Sequence, residues 1–311
     1  METADTSADL ISTPEVALTG AGATDDFDPG QKRFETLYFA FHNTKLVIGL
    51  SVVLSFLVLA IVGPWLTSAD PFEFGFPLGI PPNSTYWLGT TSAGQDVYAQ
   101  FVYGLRSSFV VGAIAALVAG TLGMAIGFIG GYLGGVVDDI LSMLTNVVLV
   151  IPTLALLLVA AAYLSARGVV VEALFIGFTS WPWAARAIRA QTFSLRSREF
   201  VNLARMSGVK GLRIVFGEIA PNMSSYLFLT FILLFGGAIL IAATLDFIGL
   251  GPTSGSSLGL MMYDAVAWSA LQLGLWWWFI PPGVAITAIV GALYITNVGL
   301  DEVFNPKLRN T

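Results

Sequence analysis

The chain has 311 residues, of which 56% are hydrophobic and only 11% charged, with a mean hydropathy of +0.79. A soluble globular domain carries about 25% charged residues, so the composition specifies an integral membrane protein. The absence of cysteine excludes a disulfide framework or thiolate metal site, and the single histidine, His42, argues against histidine-based catalysis.

The net charge of −6 is concentrated at one end. Eight of the twenty acids fall within residues 2–35, a stretch rich in Ala, Thr, Ser, Gly and Asp with no hydrophobic period. Residues 1–35 therefore read as a disordered acidic tail. They do not read as a signal peptide, because no basic n-region is present and the apolar run starts too late.

A membrane-spanning helix needs about 20 apolar residues. Six such runs follow, at 46–67, 108–133, 137–163, 169–190, 223–247 and 277–299. The predicted fold is an all-α membrane protein of six transmembrane helices. Its segments are an N-terminal part with the first span (36–67), a polar extracytoplasmic loop (68–105), a membrane domain (106–300) and a short C-terminal end (301–311). Trp181-Pro182-Trp183 interrupts the fourth run, and a proline inside a helix usually kinks it. Trp65, Trp87, Trp268 and Trp276–Trp278 sit near span ends, where indole rings favour the headgroup level.

Lys and Arg orient the chain. With the N-terminus in the cytoplasm, six spans return the C-terminus there. Lys32, Arg33, Lys45, Arg186, Arg189, Arg196, Arg198, Arg205, Lys210, Arg213, Lys307 and Arg309 then lie inside, and only Arg106 and Arg167 lie outside. Both termini are expected to be cytoplasmic, and so is the polar stretch Glu199–Asn222.

The second run carries Gly123, Gly127, Gly131 and Gly135 at every fourth residue. This spacing strips side chains from one helix face and lets a neighbour approach closely. Static packing and a seam that slides during gating both fit the pattern.

Catalytic chemistry is missing from the motifs. There is no Gly-x-x-x-x-Gly-Lys-Ser/Thr phosphate loop, and no Ser/His/acid set is available with one His near the tail. No cofactor is expected, and nothing points to nucleic acid. Asp138, Asp139, Glu172 and Asp246 lie near span ends rather than deep in the bilayer, which speaks against a proton relay. The repeated halves of a secondary transporter are absent. The chain reads as a pathway driven from outside itself.

The stretch from Glu199 to Asn222 is the exception to this greasy pattern. Arg186, Arg189, Arg196 and Arg198 lead into it and suit either anionic headgroups or a helix C-terminus, with direct partner contact as the alternative. An amphipathic helix is expected from Glu199 to about Ser207, with Phe200, Leu203 and Met206 apolar. Gly208 is placed to end it. A second helix would run from about Gly211 to Glu218, and Pro221 suits the start of the fifth span. Apolar side chains on such an exposed knob call for a partner.

This segment resembles the EAA loop of binding-protein-dependent ABC importer permeases, with Glu199, Ala204, Gly208, Ile219 and Pro221 at matching spacing. Phe200-Val201 replace the double alanine, and Ala220 replaces a leucine. Leu88 to Val97, Phe247 to Gly251, Ser257 to Met261 and Asn305 to Arg309 are similar to motifs of the dipeptide/oligopeptide permease C subunit. The similarity covers residues 35–310. Gln95, Asp246 and Leu258 depart from the family pattern on the outer side, where substrate or binding protein would be met.

The resemblance implies a type I importer permease fold in the cell membrane. It also implies a second permease subunit, two cytoplasmic ATP-binding subunits, an extracytoplasmic solute-binding protein and surrounding lipid as partners. Glu199, Ala204, Arg205, Gly208, Ile219 and Pro221 would couple this chain to the ATPases. A di- or oligopeptide is the expected cargo. The same architecture importing an oligosaccharide or nickel stays open, as does, more remotely, an ion-coupled transporter.

Overall fold

The computed structural model describes residues 38–163, 168–253 and 255–304. The acidic tail, Lys32, Arg33, Arg167, Lys307, Arg309 and the Asn305–Arg309 motif lie outside the described residues. The main helices of the described chain are α1 Thr44–Val62, α2 Val97–Leu133, α3 Gly135–Val150, α4 Thr153–Tyr163, α5 Val169–Leu195, α6 Glu199–Met206, α7 Gly211–Ile214, α8 Ser224–Phe247, α9 Leu258–Ala267 and α10 Trp276–Phe304. Among the described residues there is no β-strand, only one isolated bridge between Thr90 and Asp96.

By length and composition, α1 with its 3₁₀ extension, α2, α8 and α10 can cross a membrane, and α3 with α4 makes a fifth if the pair is one broken span. Six runs were expected. The remaining one, α5, has 27 residues but is diluted by Glu172, Arg186 and Arg189 and falls short of the same hydropathy. The third run also differs, because α3 and α4 are bent by 75° at Ile151–Pro152. A residue before proline is pushed out of the helical region, and Ile151 is extended, with ψ at 122°. Conversely, α5 continues unbroken through Pro182.

Helix α2 starts eleven residues before its apolar run. Asp96 caps it, accepting N–H bonds from Tyr98 (2.8 Å) and Ala99 (3.4 Å), and Val97, Val102 and Leu105 are fully buried. They belong to a cluster with Leu258, Met261, Trp278 and Ile289 that joins α2, α9 and α10. At 37 residues, about 55 Å at 1.5 Å per residue, α2 outreaches a ~30 Å hydrocarbon core.

The loop preceding α2 and the segment around α9 form one lobe, the outer one if the termini are cytoplasmic as expected. Trp277 Nε1 donates to the Thr90 carbonyl (3.1 Å), and Ser256 donates to the Gln100 carbonyl (2.9 Å). Trp277 and Trp278 are thus core residues rather than part of an interfacial belt, whereas Trp65, Trp87, Trp268 and Trp276 are exposed. Asp246 and Leu258 are also buried. Two of the three positions that depart from the family pattern are therefore buried within the chain. Burial pushes the Asp264 carboxyl up to about 6. It also raises that of Asp96, against the opposing N–H bonds from Tyr98 and Ala99.

The most extensive helix–helix contact joins α2 and α5. A methyl group at Gly123 would stand 2.7 Å from Ala184 Cβ, one at Gly127 2.9 Å from both the Ala185 carbonyl and Ile188 Cβ, and one at Gly131 2.7 Å from Thr192 Cβ. Gly135 stands apart from this seam. It faces open space at φ 56° and, with Gly134 at φ 69°, makes the turn from α2 into α3.

Candidate coupling site

The loop between α5 and α8 is built as two helical arms joined at a glycine. Helix α6 begins after Arg198, whose extended backbone (ψ 152°) offers no side-chain cap. Glu199 supplies an acid in the first turn, where the helix dipole favours negative charge. At the other end, the Gly208 N–H donates to the Arg205 carbonyl and the Val209 N–H to the Ala204 carbonyl, both at 3.1 Å. These two bonds define the Schellman closure, which needs a left-handed residue between them. Gly208 provides it at φ 76°, with nothing within 4 Å of where a side chain would start. Its requirement for glycine is therefore conformational and not a matter of space.

The second arm departs from the simple helix expected over Gly211–Glu218. Helix α7 is a single turn, followed by a π-helical segment at Val215–Ile219 and a last turn at Ala220–Asn222 containing Pro221. Within the π segment the Ala220 N–H reaches back to the Val215 carbonyl, and the Asn222 amide donates to the Glu218 carbonyl (2.7 Å). Pro221 cannot donate an N–H, and the wider turn with this side-chain bond accommodates that gap just before α8.

The loop has two faces. Val201, Ile214, Val215 and Ile219 are buried with Ala184, Ala185 and Ile188 of α5 and Phe128 of α2. Leu203, Met206, Leu212 and Phe216 are largely exposed, Met206 by 84%, although Leu212 and Phe216 stand beside α2. The loop is also clamped to the end of α2. Phe216 packs edge-on to Phe128 with ring centroids 6.2 Å apart, the Arg205 guanidinium lies 5.9 Å from the Tyr132 ring centre, and a methyl at Gly211 would meet Tyr132 at 3.0 Å. Of the residues singled out from the sequence, Glu199, Arg205 and Pro221 are exposed, Ala204 is half-buried and Ile219 is fully buried. Ile219 therefore holds the loop from inside.

Three of the four arginines leading into the loop are engaged within the chain. Arg189 grips Asp138 of α3 with both ends of its guanidinium, Nη2 to Oδ2 at 2.6 Å. Arg186 donates to Asn146 (2.6 Å), and Arg196 reaches the Gly131 carbonyl (3.4 Å) at the end of α2. These contacts span long sequence separations, so local spacing carries no sign of them. Tyr132 was likewise invisible as a loop partner. The loop thus packs on the paired helices α2 and α5, with α3 tied to α5 by the Arg189–Asp138 pair.

Helices with several apolar spans and a loop buried on one side and apolar on the other fit a membrane protein that meets a partner. Comparison with known proteins makes this specific: residues 123–310 match the family model of the binding-protein-dependent transport system inner membrane component, and the chain belongs to that family. It is a multi-pass membrane permease subunit of an ABC importer. The chain is similar to a putative peptide transport system permease protein of Brucella suis, 30% identical over 266 residues, covering 84% of this chain and 88% of that one. It is also similar to an oligopeptide transport system permease protein of Mycobacterium tuberculosis, 32% identical with 86% and 92% covered. A dipeptide transport system permease protein of Haemophilus influenzae is 32% identical, with 91% and 97% covered.

Proposed function

We propose that this chain forms half of the translocation pathway of a peptide importer and is coupled to two cytoplasmic ATP-hydrolysing subunits through Glu199–Asn222. The observation that carries this reading is the division of the loop into two faces. Val201, Ile214 and Ile219 fix it to α2 and α5, while Leu203, Met206, Leu212 and Phe216 stay exposed. Exposed apolar groups in water favour a partner surface, and the buried ones make the loop rigid enough to transmit a push.

On this reading, six spans place both termini in the cytoplasm, with α5 as the sixth span, its Arg189 paired with Asp138 of α3. A second permease subunit completes the path, and an extracytoplasmic solute-binding protein delivers cargo to the outer lobe. ATP is hydrolysed by the partner subunits, because this chain carries no phosphate loop. The peptide cargo is supported by the similarity to peptide, oligopeptide and dipeptide transport system permease proteins. Closure of the ATPases would move α6 and α7 together and drive the α2–α5 pair.

Two substitutions test this. Gly208→Trp replaces the left-handed turn residue and is expected to abolish peptide uptake while the protein still inserts. Glu199→Lys is expected to detach or uncouple the ATPases. Normal uptake in Gly208→Trp membranes would remove the coupling role, and unchanged co-purification and uptake in Glu199→Lys would reduce Glu199 to a helix-start residue.

A further inference from the structure

A small cleft of about 140 Å³ opens where α2, α3 and α5 meet, lined by Ser142, Thr145 and Asn146 of α3, Arg186 and Arg189 of α5, and Ile126 of α2. Its two cations are not equivalent. Arg189 is neutralised by Asp138, Nη2 to Oδ2 at 2.6 Å. Arg186 meets only the neutral amide of Asn146, Nη2 to Oδ1 at 2.6 Å, and among the described residues no carboxylate pairs with it. One positive charge in the wall is therefore left over. The hydroxyls of Ser142 and Thr145 donate within the chain, to Asp138 (3.3 Å) and to the Leu141 carbonyl (2.7 Å). The Asn146 amide is held by its oxygen, which leaves its N–H groups, with those of Arg186, as the donors available to a ligand.

Depth selects the anion. Counted from Val169, twenty residues of α5, about 30 Å, end at Arg189. That matches the hydrocarbon core, so when α5 crosses the bilayer Arg186 and Arg189 stand at the headgroup boundary nearer the coupling loop. Basic groups at this level attract anionic headgroups, and the planar fork of arginine suits phosphate. On the same α3, Ile140, Met143, Leu144 and Val147 are exposed and apolar, a surface suited to acyl chains.

We infer that this cleft binds the phosphate of an anionic phospholipid, which accepts hydrogen bonds from the Arg186 guanidinium and the Asn146 amide while its acyl chains lie along α3. The inference goes beyond the importer reading and takes from it only that α5 spans the bilayer. A lipid seated here braces α3 against α5, beside the Arg189–Asp138 pair that already joins them.

The test uses the complete importer, stripped of lipid in detergent and then given phosphatidylglycerol or phosphatidylcholine with the same acyl chains, and native mass spectrometry to count the lipid retained. The wild type is expected to hold its first phosphatidylglycerol more tightly than phosphatidylcholine. Arg186→Gln is expected to weaken that binding about tenfold, the worth of a charge-assisted hydrogen bond, and Arg198→Gln, outside the cleft, to leave it unchanged. Asn146→Leu keeps the arginine and is expected to weaken binding several-fold, which provides the readout should Arg186→Gln fail to assemble. Equal retention of the two lipids by the wild type, or unchanged retention in Arg186→Gln and Asn146→Leu, would overturn the inference. So would displacement of phosphatidylglycerol by millimolar inorganic phosphate, which would make the ligand a soluble anion, or loss of the second permease subunit from Arg186→Gln with lipid retention unchanged, which would give the arginine a protein acid as its partner. Labelling of Gly168→Cys and Ser197→Cys by an impermeant maleimide from the same side of sealed vesicles would instead overturn the α5 span.

Discussion

Replacing Gly127 with alanine tests whether the α2–α5 seam holds the bundle together. The added methyl would lie 2.9 Å from the Ala185 carbonyl and from Ile188 Cβ, and 3.0 Å from the Arg189 nitrogen. Two of these neighbours are backbone atoms and cannot swing away, so the helices must separate. Overpacking of this kind costs about 1–3 kcal/mol. Gly120, on the same helix, is the internal control, since its nearest neighbours would be at 3.8 Å and 3.9 Å. Both substitutions gain about the same helix propensity, ~0.8–1 kcal/mol, so that gain cancels when they are compared. Gly127→Ala should therefore be less stable than Gly120→Ala by about 1–3 kcal/mol. At roughly 2–4 °C per kcal/mol, the melting midpoints in detergent, taken at one heating rate, should differ by roughly 2–12 °C. Equal midpoints would refute the close-approach argument.

The Arg189–Asp138 pair should behave as a unit. Asp138 is buried while the Arg189 side chain is 37% exposed, so the cost of Asp138→Asn, discounted for solvent screening, is about 1–2 kcal/mol. In a double-mutant cycle with Arg189→Gln, the two losses should fall short of additivity by more than ~0.5 kcal/mol, and additive losses would deny the pairing. The outer lobe should lose stability as pH rises. Asp264 has a carboxyl pushed up to about 6 from 3.8, so the folded state holds the extra proton between those values. Its contribution is full below about pH 4 and lost as pH passes 6. Melting midpoints measured between pH 4 and 7 should fall less steeply in Asp264→Asn, and an unchanged slope would contradict the assignment.

Much of this architecture was legible in the chain itself. Apolar runs located α1, α8 and α10, because burial in lipid demands continuous hydrophobicity, and the glycine at 208 announced its turn. The two prolines mattered differently from expectation. Pro182 stood out beside two tryptophans yet leaves α5 continuous, while Pro152, hidden in an apolar run, marks the actual break through its effect on Ile151. Four-residue spacing grouped Gly135 with the seam, but spacing carries no information on φ, and φ makes it a turn residue. The faces of the loop were harder still. Phe216 and Val215 are adjacent and equally apolar, and only the tertiary packing of Ile188 and Phe128 decides which is buried. Arg189 and Asp138 are separated by a helix turn and a broken span, so nothing local links them.

The central claim is that the exposed face of Glu199–Asn222 is the surface on which the ATP-hydrolysing subunits dock. Because the chain has no cysteine, single thiols can be placed at will. Met206→Cys lies on the exposed face and Val201→Cys on the buried one. In the assembled importer, a short bifunctional crosslinker should join Met206→Cys to an ATPase subunit and leave Val201→Cys unlinked. Crosslinking of Met206→Cys to the solute-binding protein, or to no partner at all, would contradict the account.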